Sequence, residues 1–227
     1  QNPDSLAKNF LHETTNYWLE WSRKLAIPFE WQKAVIRAAI TLKLCSYEET
    51  GAIVAALTTS IPEAPNTARN WDYRYCWLRD AYFTVNALNQ LGVTRTMEHF
   101  VRFLVNTVLS EKDSDLNPLY PIVTSTDLTE NNATALAGFH GMGPVRVGNA
   151  ASTQKQTDVY GSVILSAAQL FWDERVSFAG GLDLYKRLKP VGEAALAAAL
   201  QPDSGVWEFR GRTRVHTYSV AMCWAAA

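Results

Sequence analysis

The chain has 227 residues, of which 48% are hydrophobic and 19% charged, a composition typical of a folded globular protein. Its formal net charge of −1 argues against a surface built as a whole to bind nucleic acid. No run of about 18 apolar residues is present, so we expect neither a membrane span nor a membrane partner.

Cysteine and histidine are sparse. Cys45, Cys76 and Cys223 show no C-x-x-C spacing, so they predict neither a disulfide framework nor a metal knuckle. With no signal-peptide pattern, this favours a reducing, cytoplasmic compartment. The histidines, at positions 12, 99, 140 and 216, lack paired metal-ligand spacing. We therefore expect no metal and no other cofactor.

Apolar residues at helical spacing predict most of the chain to be helix. The predicted helices cover residues 5–24, 30–45, 48–57, 80–91, 96–109, 158–172 and 182–200, and a last one begins near His216. Thr96 is a plausible N-cap. Alternation over Val206–Arg210 predicts an extended segment, but strand patterns are otherwise nearly absent. The predicted fold class is therefore all-α.

Both ends of the chain suggest a longer protein. It opens with Gln1 rather than Met, and Met222–Ala227 is apolar, helix-favouring and without a stop signal. We expect truncation at both ends, with a genuine short apolar tail as the alternative. Long irregular segments at 60–79, 110–157 and 201–215 are rich in Trp, Tyr, Arg, Asp and Gly, which is typical of functional loops.

The segment Asn70–Asp80 places four aromatic and several charged residues just before a predicted helix. Aromatic faces can stack on a pyranose, and Arg79 and Asp80 can hold sugar hydroxyls by charge-assisted hydrogen bonds. The structural alternative makes Asp80 a helix N-cap, Arg79 its ion-pair partner and the aromatic residues part of the core. The residues alone leave both interpretations open.

Two further segments carry candidate chemistry. In Pro202–Gly211, Glu208 follows Trp207, and a carboxyl against an apolar wall favours its neutral form and suits a general acid. The alternative is a solvated Glu208 paired with Arg210. The glycines of Gly141–Ala150 indicate tight turns close to a ligand, although no phosphate-loop pattern follows them.

These segments together resemble the bacterial branch of glycoside hydrolase family 15. The resemblance rests on RNWDYRYCWLRD at 69–80, GPVRVGNAA at 143–151 with DVYG at 158–161, and GVWEFR at 205–210 with MCW at 222–224. The segments FEWQ at 29–32 and GAIVAALTTSIP at 51–62 also match. The resemblance covers nearly the whole chain in the expected order.

The resemblance implies an (α/α)6 toroid, of which residues 1–227 form an incomplete N-terminal portion. It also implies exo-acting hydrolysis that releases glucose, with inversion, from the non-reducing end of an α-glucan or oligosaccharide. An inverting enzyme uses two carboxyl groups about 6.5–9.5 Å apart. Trehalase activity is an alternative within the same family, because both activities bind a terminal glucose.

The resemblance also implies roles for single residues. Glu208 is the expected general acid and Trp207 its apolar wall. Arg79 and Asp80 are expected to grip the terminal glucose, with Tyr73 and Trp77 around its ring. Further candidates for lining the pocket are Arg146, Asn149 and Arg210, whereas Asp72 and Asp158 are expected to be structural.

This sequence also departs from the family pattern. The general base is expected downstream of residue 227, which would leave this chain with half of the acid/base pair. Leu119–Thr126 lacks the usual tyrosine- and glycine-bearing pattern, and Phe209 replaces an acidic residue of fungal members.

The alternatives of another class are a non-catalytic saccharide-binding protein and a single-stranded nucleic-acid binder that stacks bases on the aromatic residues at 71–79. The net charge argues against the second. The expected partner is a disaccharide or oligosaccharide substrate, with no nucleic acid.

Overall fold

The computed structural model describes residues 2–110, 115–123 and 125–227. The residues outside this description are Gln1, part of the 110–157 loop and one position of Leu119–Thr126. The described part is mostly helical, which confirms the all-α class. Its helices are α1 Pro3–Arg23, α2 Gln32–Leu44, α3 Leu78–Gln90, α4 Thr94–Phe103, α5 Asp158–Ala168, α6 Leu182–Ala198 and α7 Thr217–Ala226.

The strands are short and serve to tie loops together. They are β1 Cys76–Trp77, β2 Leu119–Tyr120, β3 Asn131–Asn132 and β4 Arg146–Val147. β1 pairs antiparallel with β2, and β3 pairs antiparallel with β4. The first pair leads directly into α3, so it fixes the backbone at the beginning of that helix.

Helix α5 lies at the centre of the main core. It packs against α3, α4, α6 and α7 and buries Val159, Val163 and Ala167. Gly161 lets α7 approach closely, because a Cβ there would lie 2.4 Å from the carbonyl oxygen of Met222. The fold thus brings the N-terminal ends of α3 and α5 close to the loop that follows α6.

The helix predicted over 48–57 is wrong. Gly51 adopts a φ of +85°, and the chain there turns beside His99 rather than continuing as a helix. The apolar run that follows is extended, with Ile53 bridging to Ser46 and Val54 donating its N–H to the Cys45 carbonyl. A short apolar run of this kind is buried equally well as strand or helix.

Two smaller predictions also need correction. Thr96 is not an N-cap, because α4 begins at Thr94 and Thr96 is buried within it. Val206–Arg210 is a turn rather than an extended segment, with Glu208 at a φ of +53°. The chain cannot be extended there, because Gly205 and Glu208 both have positive φ values, which strands do not adopt.

Helix α1 differs from the others because none of its residues is buried. Leu6, Phe10 and Leu11 are 43–69% exposed. No helix among the described residues is both long enough and apolar enough to cross a membrane.

Candidate active site

The turn that carries Glu208 is set by its neighbours. Gly205 has a φ of +66°, and a Cβ there would lie 2.6 Å from the His216 ring, so the turn requires glycine. The Glu208 N–H donates to the Gly205 carbonyl at 3.0 Å, and the Phe209 N–H donates to the Ser204 carbonyl at 3.1 Å. The Glu208 side chain is thereby directed towards the beginning of α3.

Three side chains donate hydrogen bonds to one oxygen of Glu208. The Trp77 indole N–H donates to Oε1 at 2.6 Å, Gln156 Nε2 at 3.2 Å and Arg79 Nη2 at 3.3 Å. Gln154 also donates to the Glu208 backbone carbonyl at 3.2 Å. The carboxyl keeps 23% of its side-chain surface exposed, so it is held in place and still reachable. Together these hydrogen bonds hold the Glu208 carboxyl in one position at the edge of a cavity.

Trp207 does not form the apolar wall expected for Glu208. Its side chain is 78% exposed, and the indole that contacts the carboxyl is that of Trp77, through its N–H rather than its ring face. The turn at Glu208 points neighbouring side chains in different directions, which separates residues that are adjacent in sequence.

Arg79 lies behind Glu208 rather than on the cavity surface. It is only 8% exposed, and its Nη1 donates to Gln156 Oε1 at 3.0 Å and to Asp158 Oδ2 at 3.1 Å. Because Arg79 is buried and three of its N–H donors are taken by protein groups, the expectation that it grips the sugar is replaced by one in which it holds Glu208.

A cleft of about 790 Å³ opens in front of Glu208. Arg79 and Arg146 are not among its lining residues. The candidate residues that line it are Tyr73, Trp77, Asp80, Asn149, Trp207, Glu208 and Arg210, and it is completed by Ala55, Glu63, Arg69, Trp71, Ala151, Gln154, Val206 and Phe209.

Tyr73 and Asp80 form the wall of the cleft nearest to Trp77. The Tyr73 ring lies 5.9 Å from the Trp77 ring, and its hydroxyl donates to Glu63 Oε1 at 3.0 Å. Burial and that carboxylate raise the pKa of Tyr73. Asp80 is the third residue of α3 and not its N-cap, and its Oδ2 lies 3.9 Å from Arg79 Nε. Its side chain remains 44% exposed and accessible to a ligand.

Trp71, whose ring is contacted by two arginines, forms the outer wall. The guanidinium carbons of Arg146 and Arg210 lie 4.9 and 4.2 Å from the centre of the Trp71 ring. Both arginines pair with Glu130, at 3.1 and 2.7 Å. Burial acts to raise the pKa of Glu130, but the bonds from Arg210 and the Ala150 N–H lower it overall. Arg210 thus ties the Glu208 loop to Glu130 instead of pairing with Glu208.

Asn149 and Asp72 stabilise the loops behind this wall. Asn149 Nδ2 donates to the Asp72 carbonyl, and its Oδ1 accepts from the Ala151 N–H. The Asp72 carboxylate is fully buried and accepts from Arg74 and from the Gly148 N–H. Asn149 therefore lines the cleft with an amide whose polar atoms are already paired.

Two residues of the site, Glu63 and Glu130, were not predicted from the sequence. Glu63 accepts from Arg69, the Trp71 indole and Tyr73, and Glu130 holds two arginines. Gln156, a polar residue that follows the glycine-rich segment, bridges Arg79 and Glu208. The only signal for Glu63 was its position in a long polar loop. Within the described residues, no group of His, Cys, Asp and Glu is arranged to hold a metal ion.

Comparison with known proteins gives consistent results. Residues 31–227 match glycosyl hydrolases family 15. A trehalase of Mycobacterium tuberculosis is 37% identical over 224 residues, which is 97% of this chain and 32% of the relative. Trehalases of Thermoplasma volcanium and Thermoplasma acidophilum are each 35% identical, covering 95% of this chain and 34% and 36% of the relatives. The chain therefore spans about a third of the length of these curated relatives. The search of solved structures gave no significant match.

Proposed function

The chain belongs to glycosyl hydrolases family 15, and on that premise we propose that the full-length protein hydrolyses the α-glucosidic bond of trehalose to release glucose. The curated relatives named trehalase support this substrate over the longer α-glucans that the sequence analysis placed first. A disaccharide also suits a cleft of about 790 Å³ lined by aromatic and carboxylate side chains.

The observation that carries the proposal is the placement of Glu208. Its carboxyl lies in the cleft with Oε1 fixed by the Trp77 indole at 2.6 Å. A general acid must be held within hydrogen-bond reach of the atom that it protonates. We assign Glu208 this role towards the glycosidic oxygen.

The walls of the cleft suit a terminal glucose. Tyr73 offers an aromatic face, and Asp80 offers a partly exposed carboxylate that can accept from sugar hydroxyls. Trp77 is only 2% exposed, and it acts by holding Glu208 through its indole N–H. Trp207 and Arg210 also line the cleft, and their exposed side chains can contact the departing sugar. The binding of a neutral sugar then depends on stacking and hydroxyl contacts rather than on net charge.

Inversion requires a second carboxylate that activates water. We propose that this general base lies downstream of residue 227, in the remainder of an (α/α)6 toroid of which these residues form the N-terminal part. Glu63 also lines the cleft, but its oxygens already accept from Arg69, Trp71 and Tyr73. Those bonds leave it less free to position a water molecule.

Glucose release from trehalose, maltose, maltotriose and isomaltotriose tests the proposal. The full-length protein is expected to cleave trehalose best. Glu208→Gln is expected to lower turnover by on the order of 10²–10⁴, which is the usual contribution of general acid catalysis. Glu174→Gln provides a matched control, because Glu174 is exposed and does not line the cleft.

The outcomes separate the candidate functions. Faster release from maltotriose than from trehalose would support glucoamylase-like activity instead. Trehalose binding without hydrolysis would indicate a saccharide-binding protein. Unchanged turnover of Glu208→Gln would remove Glu208 from the role of general acid.

A further inference from the structure

The buried guanidinium of Arg79 lies behind the cleft and faces three carboxyl groups. Arg79 Nη1 lies 3.1 Å from Asp158 Oδ2, Nη2 lies 3.3 Å from Glu208 Oε1, and Nε lies 3.9 Å from Asp80 Oδ2. The side chains of Arg79 and Asp158 are 10% and 0% exposed, so solvent screens the charges of this pair weakly. The state of any one carboxyl in this cluster therefore affects the others.

Asp158 is the most deeply buried member of the cluster. Its side chain is 0% exposed, and Oδ1 has no hydrogen-bond partner among the described residues. The nearby Tyr218 hydroxyl is likewise buried without a partner in the described structure. Burial raises the pKa of Asp158, and Arg79 opposes this effect. A carboxylate in such a place is unfavourable for folding alone, which suggests another role.

We propose that Asp158 is a positioning residue that acts on Glu208 through Arg79. By binding the guanidinium from behind, it offsets the charge of Arg79 and fixes the position from which Nη2 holds the Glu208 carboxyl. This rests on the proposed role of Glu208 as a general acid, which must carry a proton before the bond breaks. Asp158 therefore acts on catalysis without touching substrate.

Charged and titratable groups from several elements lie around Asp158. They are Arg79 and Asp80 from α3, Asp203 from the loop after α6, Glu208 from its turn, and Tyr218 and Cys223 from α7. Among them Arg79 is the one cation, so it decides how the negative charges interact.

Two substitutions should move the pH dependence in opposite directions. Asp158→Asn keeps an oxygen that can accept from Arg79 Nη1 and removes one negative charge. Arg79 then favours ionised Glu208 more strongly, so the alkaline limb of the pH–rate profile should move to lower pH by about one unit. Arg79→Gln removes the cation, so the limb should move to higher pH, and kcat should also fall because Glu208 loses a donor.

The experiment measures pH–rate profiles for trehalose hydrolysis by the full-length protein and these variants. Arg79→Lys keeps the charge but loses the two-pronged contact, so kcat should fall while the limb stays near that of the wild type. Asp173→Asn is a matched control, because Asp173 pairs with Arg175 at 2.6 Å outside the cleft. Its limb should not move.

A second measurement keeps this inference separate from the proposed function. The Trp77 indole N–H resonance, assigned by Trp77→Phe, should titrate with Glu208, since the two are hydrogen bonded. Its midpoint should fall in Asp158→Asn and rise in Arg79→Gln. If trehalose is not hydrolysed, the proposed function fails and this titration decides the role of Asp158. The proposed role of Asp158 would be overturned if the alkaline limb and the indole midpoint did not move in Asp158→Asn. It would also be overturned if they moved in the same direction in Asp158→Asn and Arg79→Gln.

Discussion

Helices α5 and α1 differ in how much the rest of the fold packs against them. Eight of the 11 residues of α5 are buried, including Asp158 and Ser162. None of the 21 residues of α1 is buried. Helix α5 is therefore fixed by the elements around it, and its N-terminal end can position charged groups accurately.

Helix α1 has the local signals that α5 lacks. Asn2 caps it by accepting from the Asp4 N–H at 3.0 Å, Pro3 occupies its first position, and Arg23 lies in its last turn. Before α5, Thr157 makes no side-chain cap bond, and its N–H donates instead to Asp203 at 2.8 Å. The comparison shows that sequence signals identify a helix, whereas packing decides whether it can support a site.

The largest expected effect comes from breaking the contact between α5 and α7. Gly161→Ala places a Cβ 2.4 Å from the Met222 carbonyl oxygen, so the two helices must move apart. We expect the free energy of unfolding to fall by about 3 kcal/mol, measured by urea denaturation. Gly181→Ala is the control, because a Cβ there meets nothing within 4 Å and its φ is −122°. Equal effects for the two variants would contradict the close packing of α5.

The same comparison explains how much of the fold was predictable. Helices with long apolar stripes, such as α3 and α6, were predicted within a few residues of their observed ends. The failure at 48–57 occurred where Gly51 turns the chain beside His99, a contact between residues far apart in sequence. A local sequence pattern shows which residues are apolar, but it does not show which distant residues pack against them.

The site was predictable to a similar extent. The motifs identified Glu208, Trp77 and Tyr73, all of which line one cleft. They could not show that Trp77 donates to a carboxyl 131 residues away, or that Gln156 bridges it to Arg79. These partners are set by how α3, α5 and the loop after α6 pack together.

A smaller effect on the free energy of unfolding is expected from Asp158, the buried carboxylate of α5, and this effect should depend on pH. Burial raises the pKa of Asp158 above its unfolded value, so the folded state binds more protons than the unfolded state over that window. The contribution of Asp158 to the free energy of unfolding therefore becomes less favourable as the pH rises. We expect Asp158→Asn to gain stability relative to the wild type as the pH rises above about 4, the pKa of an unfolded aspartate. Urea denaturation over a series of pH values measures this difference, and a relative loss on raising the pH would contradict the sign.

The smallest effect should come from α1. Leu11 is 69% exposed, so Leu11→Ala removes little buried surface, and alanine is as good a helix former as leucine. We expect the free energy of unfolding of the 227-residue chain to change by less than about 0.5 kcal/mol. Urea denaturation tests this in the 227-residue chain and in the full-length protein. A loss above about 1 kcal/mol in the chain alone would mean that α1 packs against the core after all, and a loss only in the full-length protein would mean that another segment covers Leu11.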